Sequence, residues 1–244
     1  LTKSESNMDA FVHNLEQIKG FKYIIFGAKA FIENFVETGN PSKVDIGPIN
    51  TMLTSNFVDG FRTRITAQTT AKLHKQLFLS GYYAHGWGSH KNYYKGEFVY
   101  SFNKKEYLPR EFPKRTLTLM STYDVCSPSD KFMHTDKDNV FTSFKWAKVD
   151  KMMFYNRQQV TFEREEDWGF KTTVGLKTEE NVPCGELYFR PLSTLENTKI
   201  RTTELRAELR FAPGETFINT KQRRLKINLD APVFTVSHTL GLKD

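Results

Sequence analysis

From residue 203 to 211 apolar and polar side chains alternate without a break: Leu205, Ala207, Leu209 and Phe211 against Glu204, Arg206, Glu208 and Arg210. A strand sends successive side chains to opposite faces. The stretch therefore predicts one oily face and one face carrying two acids and two bases in a row. That much charge is too costly to bury in a dry core. Either it meets bulk water, or it lines a polar interior while the apolar face meets lipid, as in outer-membrane barrel strands of about 10 residues.

The pattern recurs. Phe61, Thr63, Ile65 and Ala67 alternate with Arg62, Arg64, Thr66 and Gln68; Phe170, Thr172, Val174 and Leu176 alternate with Lys171, Thr173, Gly175 and Lys177. Leu117, Leu119, Ser121, Tyr123 and Val125 alternate with Thr116, Thr118, Met120, Thr122 and Asp124, and Phe98, Tyr100 and Phe102 with Glu97, Val99 and Ser101. Less clean stretches run through 77–86, 158–165 and 232–243; in the last, His238 shares a face with Phe234, Val236, Leu240 and Leu242. Water-soluble antiparallel barrels and sandwiches alternate as well, so the alternation alone leaves both classes open.

From residue 43 onward the pattern predicts about nine strands, near 43–54, 61–69, 77–86, 93–102, 116–125, 157–165, 169–178, 202–211 and 232–243. The first forty residues read differently. Met8, Phe11, Val12, Leu15 and Ile18 fall at helical spacing between Asn7 and Gly20, and Ile25, Ala28, Phe31, Ile32 and Phe35 continue it to Gly39-Asn40-Pro41. The expected division is a helical periplasmic connector over 1–42 and a partial barrel over 43–244. Entry from the periplasm would put short turns 70–76 and 166–168 on the inner side and long connections 126–156 and 179–201 outside, as barrels prefer. Connections 103–115 and 212–231 break that rule, being long yet on the inner side. An odd strand count makes the first and last strands parallel, which implies that the rest of a barrel is missing.

Composition narrows the picture. Of 244 residues, 39% are hydrophobic, which suits a barrel whose strands need be apolar only at alternate positions; 21 Phe and 10 Tyr would supply interfacial girdles. No apolar run approaches the roughly 20 residues of a membrane helix. The polar start at Leu1 has no signal-peptide pattern, so the chain reads as a mature or internal stretch. A net charge of +7 raises a nucleic-acid partner, but no recognition motif accompanies it and much of it alternates within strands, so none is expected. Lys104, Lys105, Arg110, Lys114 and Arg115, then Lys221, Arg223, Arg224 and Lys226, concentrate it in two connections that are either solvated or set against lipid phosphates. The two cysteines, Cys126 and Cys184, would be able to pair in an oxidising compartment, provided the fold brings them together.

Candidate chemistry is sparse. No phosphate loop, dinucleotide fingerprint or nucleophile elbow occurs, so no cofactor and no catalytic residue is expected. His85 and His90 flank a loop without a third metal ligand. Asp130, Asp136 and Asp138 lack the glycine and terminal glutamate of a calcium loop. Glu163, Glu165, Glu166 and Asp167 read as a charged hairpin tip. The functional candidates are the charges that would meet inside a barrel: Arg62, Arg64, Glu97, Lys171, Lys177, Glu204, Arg206, Glu208 and Arg210. They would either form ion-pair ladders that stiffen the wall or line a polar path.

Several words of the sequence carry a resemblance. They are Asp45-Ile46-Gly47-Pro48, Asp59-Gly60-Phe61-Arg62, Leu79-Ser80-Gly81-Tyr82, Tyr100-Ser101-Phe102-Asn103-Lys104-Lys105 and Pro109-Arg110-Glu111-Phe112-Pro113. Further along stand Thr135-Asp136-Lys137-Asp138-Asn139-Val140-Phe141, Lys148-Val149-Asp150-Lys151-Met152-Met153, Ala212-Pro213-Gly214-Glu215 and Asn228-Leu229-Asp230-Ala231-Pro232-Val233-Phe234. In these the chain resembles an outer-membrane barrel family of uncharacterised function that follows a carboxypeptidase-regulatory-like domain in Gram-negative envelope proteins. That family is similar to the surface-antigen superfamily of barrel-assembly and polypeptide-transport pores. The resemblance implies an upstream periplasmic domain, further strands downstream, an outer-membrane location and no catalytic residues.

The expectation is thus an all-β protein: an antiparallel transmembrane β-barrel segment behind a short helical connector. It would be non-enzymatic and act in envelope transport or outer-membrane assembly, with outer-membrane lipid and envelope polypeptides as partners. The alternative is a soluble antiparallel barrel or sandwich binding a small ligand. An enzyme working through surface loops is disfavoured, because no catalytic constellation stands out.

Overall fold

The computed structural model describes residues 34–130, 149–189, 199–219, 222, 224–228 and 230–242. The helix expected at 7–20, most of the second helical stretch, and Asp136 and Asp138 lie outside them. Where the second helix was expected to end, the chain forms strand β1 (Val36–Glu37) instead, paired with β2 (Val44–Ile46). β-branched Val36 gains a ladder partner in Ile46, which helical propensity does not match.

The chain is all-β. After β2 come a 3-10 turn (Ile49–Thr51), β3 (Leu53–Asn56), β4 (Gly60–Thr69), β5 (Leu77–Gly86), β6 (Lys91–Ser101), β7 (Arg115–Cys126), β8 (Lys151–Glu165) and β9 (Phe170–Gly185). β10 (Ile200–Phe211), the small pair β11 (Phe217–Asn219) and β12 (Arg224–Lys226), and β13 (Phe234–Leu242) complete it. One antiparallel sheet runs β1-β2-β4-β5-β6-β7-β8-β9-β10-β13, with β3 also pairing on β4. Among the described residues the sheet stays open, with β1 and β13 as its edges. The first expected strand, 43–54, is split, because Gly47 and Pro48 interrupt it; β2 and β3 then share one edge of β4.

Register fixes the faces. Leu79, Phe98, Leu119, Val160, Leu176, Leu205 and Leu240 stand opposite one another in an unbroken row across seven strands. All seven are exposed. One residue along, Gln68, Ser80, Glu97, Met120, Gln159, Lys177 and Glu204 form the matching row on the other face. We call the second face inner, because the connections 103–115 and 212–231 fold over it.

The far ends of the strands do not follow this alternation. β6 and β7 cease pairing at Tyr94↔Tyr123 although both run on. Past that point the inner-face ring of Tyr93 stacks with the outer-face rings of Tyr123 and Phe154, centroids 6.0 and 6.5 Å apart. The ends of β7, β8 and β9 therefore turn inward, and Val125, Met152 and Phe154 pack with Ala84 and Tyr93 in a buried cluster.

Candidate functional site

All nine charged residues singled out in the sequence share the inner face by register. They do not form one cluster. Lys177 pairs with Glu204 at 2.9 Å across β9 and β10, and Lys171 with Glu163 at 2.8 Å. Arg206 meets Glu208 at 2.7 Å along its own strand, and Glu97 meets Lys95 at 3.1 Å. Such neighbours on a pleated face are the sheet's version of an ion-pair ladder. Arg157 and buried Glu179, at 2.6 Å, extend it; Glu179 lies beyond the expected strand end because β9 runs on past residue 178.

Arg62 and Arg64 differ from the rest by being buried. Arg62 donates to Asp124 at 2.8 Å, lies 4.0 Å from Asp59 and sits over the Tyr93 ring at 4.7 Å. Tyr82 donates to the second Asp124 oxygen, while Asp59 accepts from Tyr93 and Ser89, both at 2.6 Å, and from Asn56 at 2.8 Å. Two buried carboxylates and one buried guanidinium thus hold the inturned end of the sheet. Arg64 stacks over Tyr82 at 3.8 Å and donates to Thr66 at 3.0 Å.

Below this network the inner face borders a cleft of about 920 Å³. Its walls include Thr66, Ser80, Thr118, Gln159 and Thr161, with Lys95 and Glu97 among the charges. Apolar side chains such as Phe78, Val99 and Met120 share the lining, so the cleft is mixed in polarity.

Both irregular connections close the other end. In 103–115, Glu111 accepts from the backbone N–H groups of Glu106, Tyr107 and Leu108 at 2.8, 2.6 and 2.9 Å. Lys105, buried, donates to the carbonyls of Glu111 and Pro113 at 2.5 and 2.7 Å. Burial pushes its ammonium pKa below the usual lysine range. In 212–231, Arg210 grips both Glu215 oxygens at 2.7 Å, and Lys226 lies 3.1 Å away. That Arg210 hydrogen bond holds the Glu215 carboxyl below its ordinary pKa, with Lys226 adding to it. Arg224 pairs with Glu165 at 2.8 Å, and buried Gln222 reaches Gln68 and Asp45, each at 2.8 Å.

Of the basic residues in these two connections, Lys221 and Arg223 lie outside the described residues. Lys105, Lys114, Arg115, Arg224 and Lys226 all bind acceptors of the chain itself, Lys114 through Glu163 and Arg115 through Glu166 at 3.4 Å. These five contacts tie the two connections to the rest of the chain. Glu163, Glu165, Glu166 and Asp167 do sit at the β8–β9 hairpin, and Glu163 and Glu165 pair there with Lys171 and Arg224.

Cys126 and Cys184 form no disulfide. Cys126 stands opposite Met153 and Cys184 opposite Met152, so they lie two strands apart on opposite faces. His85 takes a side-chain partner in Asn92 at 2.7 Å and meets the Trp87 ring edge-on at 5.0 Å. No grouping of metal-binding side chains occurs among the described residues. No family model, curated protein or solved structure matches the chain.

Proposed function

We propose that this chain is a segment of a transmembrane β-barrel of a Gram-negative outer membrane, non-enzymatic, with its inner face lining a polar interior. The observation that carries the reading is the exposed row from Leu79 to Leu240. Seven apolar side chains in register are a poor surface to leave in water, where monomers rarely expose large contiguous apolar patches. In lipid the same row is the expected outward band. Aromatic stacking of Trp168 on Phe170, and of Phe211 on Phe234, near the floor suits an interfacial girdle. Outer-membrane lipid is then the first partner. The resemblance to barrel-assembly and polypeptide-transport families points to envelope transport or outer-membrane assembly, with envelope polypeptides and an upstream periplasmic domain as further partners.

The test is refolding into lipid vesicles. Leu205→Arg puts a cation at the centre of the apolar row, at a cost of about 2–4 kcal/mol if that row faces the bilayer midplane. Arg206→Leu, on the inner face, loses only its contact with Glu208. Equal effects of the two changes, or a compact detergent-free chain in the soluble fraction, would contradict the membrane reading and favour a soluble sheet.

A further inference from the structure

The tip of the β8–β9 hairpin and the turn that follows β10 border a second pocket, of about 470 Å³. Tip and turn are fastened together. Ala212 donates its N–H to the Gly169 carbonyl at 2.9 Å. A side chain at Gly169, whose φ is +87°, would come within 2.5 Å of the Ala212 carbonyl oxygen, so the two backbones meet only through glycine. The walls are therefore preformed, which spares a ligand the cost of ordering them.

On one wall the chain already shows what this lining holds. The Arg224 guanidinium lies 3.9 Å from the centre of the Phe217 ring and 5.1 Å from that of Phe112, and pairs with Glu165 at 2.8 Å. Aromatic faces attract the cation and a carboxylate completes its site. The other wall offers the same two kinds of group. Trp168 rests one face on Phe170, 4.8 Å away and 8° from parallel, yet stays 61% exposed. Its neighbour Asp167, also exposed, lines the same pocket. Among the described residues no basic side chain pairs with Asp167 or lies over Trp168.

The other charges of the lining are matched: Glu166 by Arg115, Lys171 by Glu163, and Arg210 by Glu215. One carboxylate is left over beside one open indole, so the unspent chemistry is that of a cation acceptor. A metal ion needs more donors, and no group of three metal-binding side chains occurs among the described residues. A guanidinium uses both features, because it is weakly hydrated, stacks on aromatic faces and bonds carboxylates.

We propose that the Asp167–Trp168 pocket binds an arginine side chain of another polypeptide and so docks a partner segment at this end of the sheet. The chemistry stands without the membrane reading; only the partner's place, the periplasm, rests on it. The full chain is labelled with 5-fluorotryptophan and folded in detergent micelles, or in plain buffer if it needs no detergent, a result that counts against the membrane reading alone. Loss of one fluorine resonance in Trp168→Phe identifies the Trp168 signal. Acetyl-arginine amide should move that signal saturably at millimolar concentration. Acetyl-citrulline amide, alike in shape but uncharged, should bind roughly fivefold more weakly. Asp167→Asn, which breaks no side-chain bond among the described residues, should weaken acetyl-arginine amide roughly fivefold at low salt and less at high salt. A Trp168 signal that ignores acetyl-arginine amide, responds equally to acetyl-citrulline amide, or keeps its affinity in Asp167→Asn overturns the site, in either medium.

Discussion

Asp124 shows how much one inner-face side chain can hold. It lies fully buried, accepts from Arg62 at 2.8 Å and from Tyr82, and takes the backbone N–H of Val125 at 2.7 Å. Removing one partner of a buried ion pair costs more than the pair itself contributes, because the other charge is left behind. Asp124→Ala should therefore destabilise the folded chain by about 3 kcal/mol, the low end for such a loss, since Asp59 still lies 4.0 Å from Arg62. Asp124→Asn, which keeps the shape and one acceptor, should cost less. Urea unfolding from vesicles measures both; a loss for Asp124→Ala below about 1 kcal/mol would mean that the remaining contacts of Arg62 carry the load. This network was only half legible. Alternation placed Arg62 and Asp124 on like faces of their strands, but the inward turn that buries them follows from the parting of β6 and β7, which no local pattern announces.

At the scale of elements, legibility followed solvent contrast. Strands β4, β6, β7 and β10 have one face exposed and apolar and the other polar, so their period of two survives in the sequence. β8 begins with Met152, Met153, Phe154 and Tyr155, all buried, so its first part reads as an apolar run without alternation. β9 ends through Glu179, Asn181 and Pro183, residues that suggest a loop, yet they pair with β8 to the end. The connection 212–231 was legible only as a long connection on the unexpected side, because β11 and β12 are too short to show a period. Its Glu215 makes a pH prediction. The folded-state pKa of Glu215 lies below its unfolded value, so the group contributes stability that is fully present above the ordinary carboxylate range, about 4.3, and is lost as pH falls through the lowered value. Protection of the β11–β12 pair, followed by hydrogen exchange at Phe217–Asn219, should hold at neutral pH and fail only in strong acid. In Arg210→Gln the failure should move to higher pH. An unmoved midpoint would show that the ion pair does not anchor this hairpin.

The whole molecule is a sheet with two unequal edges. Ten strands in the main path make β1 and β13 antiparallel, which removes the objection to closure that an odd count had raised. Length now stands against it. β13 offers nine residues, every one exposed, whereas β1 offers two and β3, paired only with β4, four. A direct seam would leave part of β13 unpaired and would have to join two broken pieces of edge, and each unsatisfied backbone group in hydrocarbon costs several kcal/mol. Among the described residues, Gln222 and Arg224 of the connection 212–231 make their contacts on the inner face, away from that edge. The 244-residue chain on its own should thus associate through β13 in detergent micelles, edge to edge, as exposed long strands do. Chemical cross-linking over a range of chain-to-micelle ratios would trap those pairs, and Val236→Pro, which removes a backbone donor and disrupts the edge, should reduce them. A compact, heat-modifiable monomer at every ratio would mean instead that the β13 edge is already covered, and that the sheet closes in a way its described strands do not reveal.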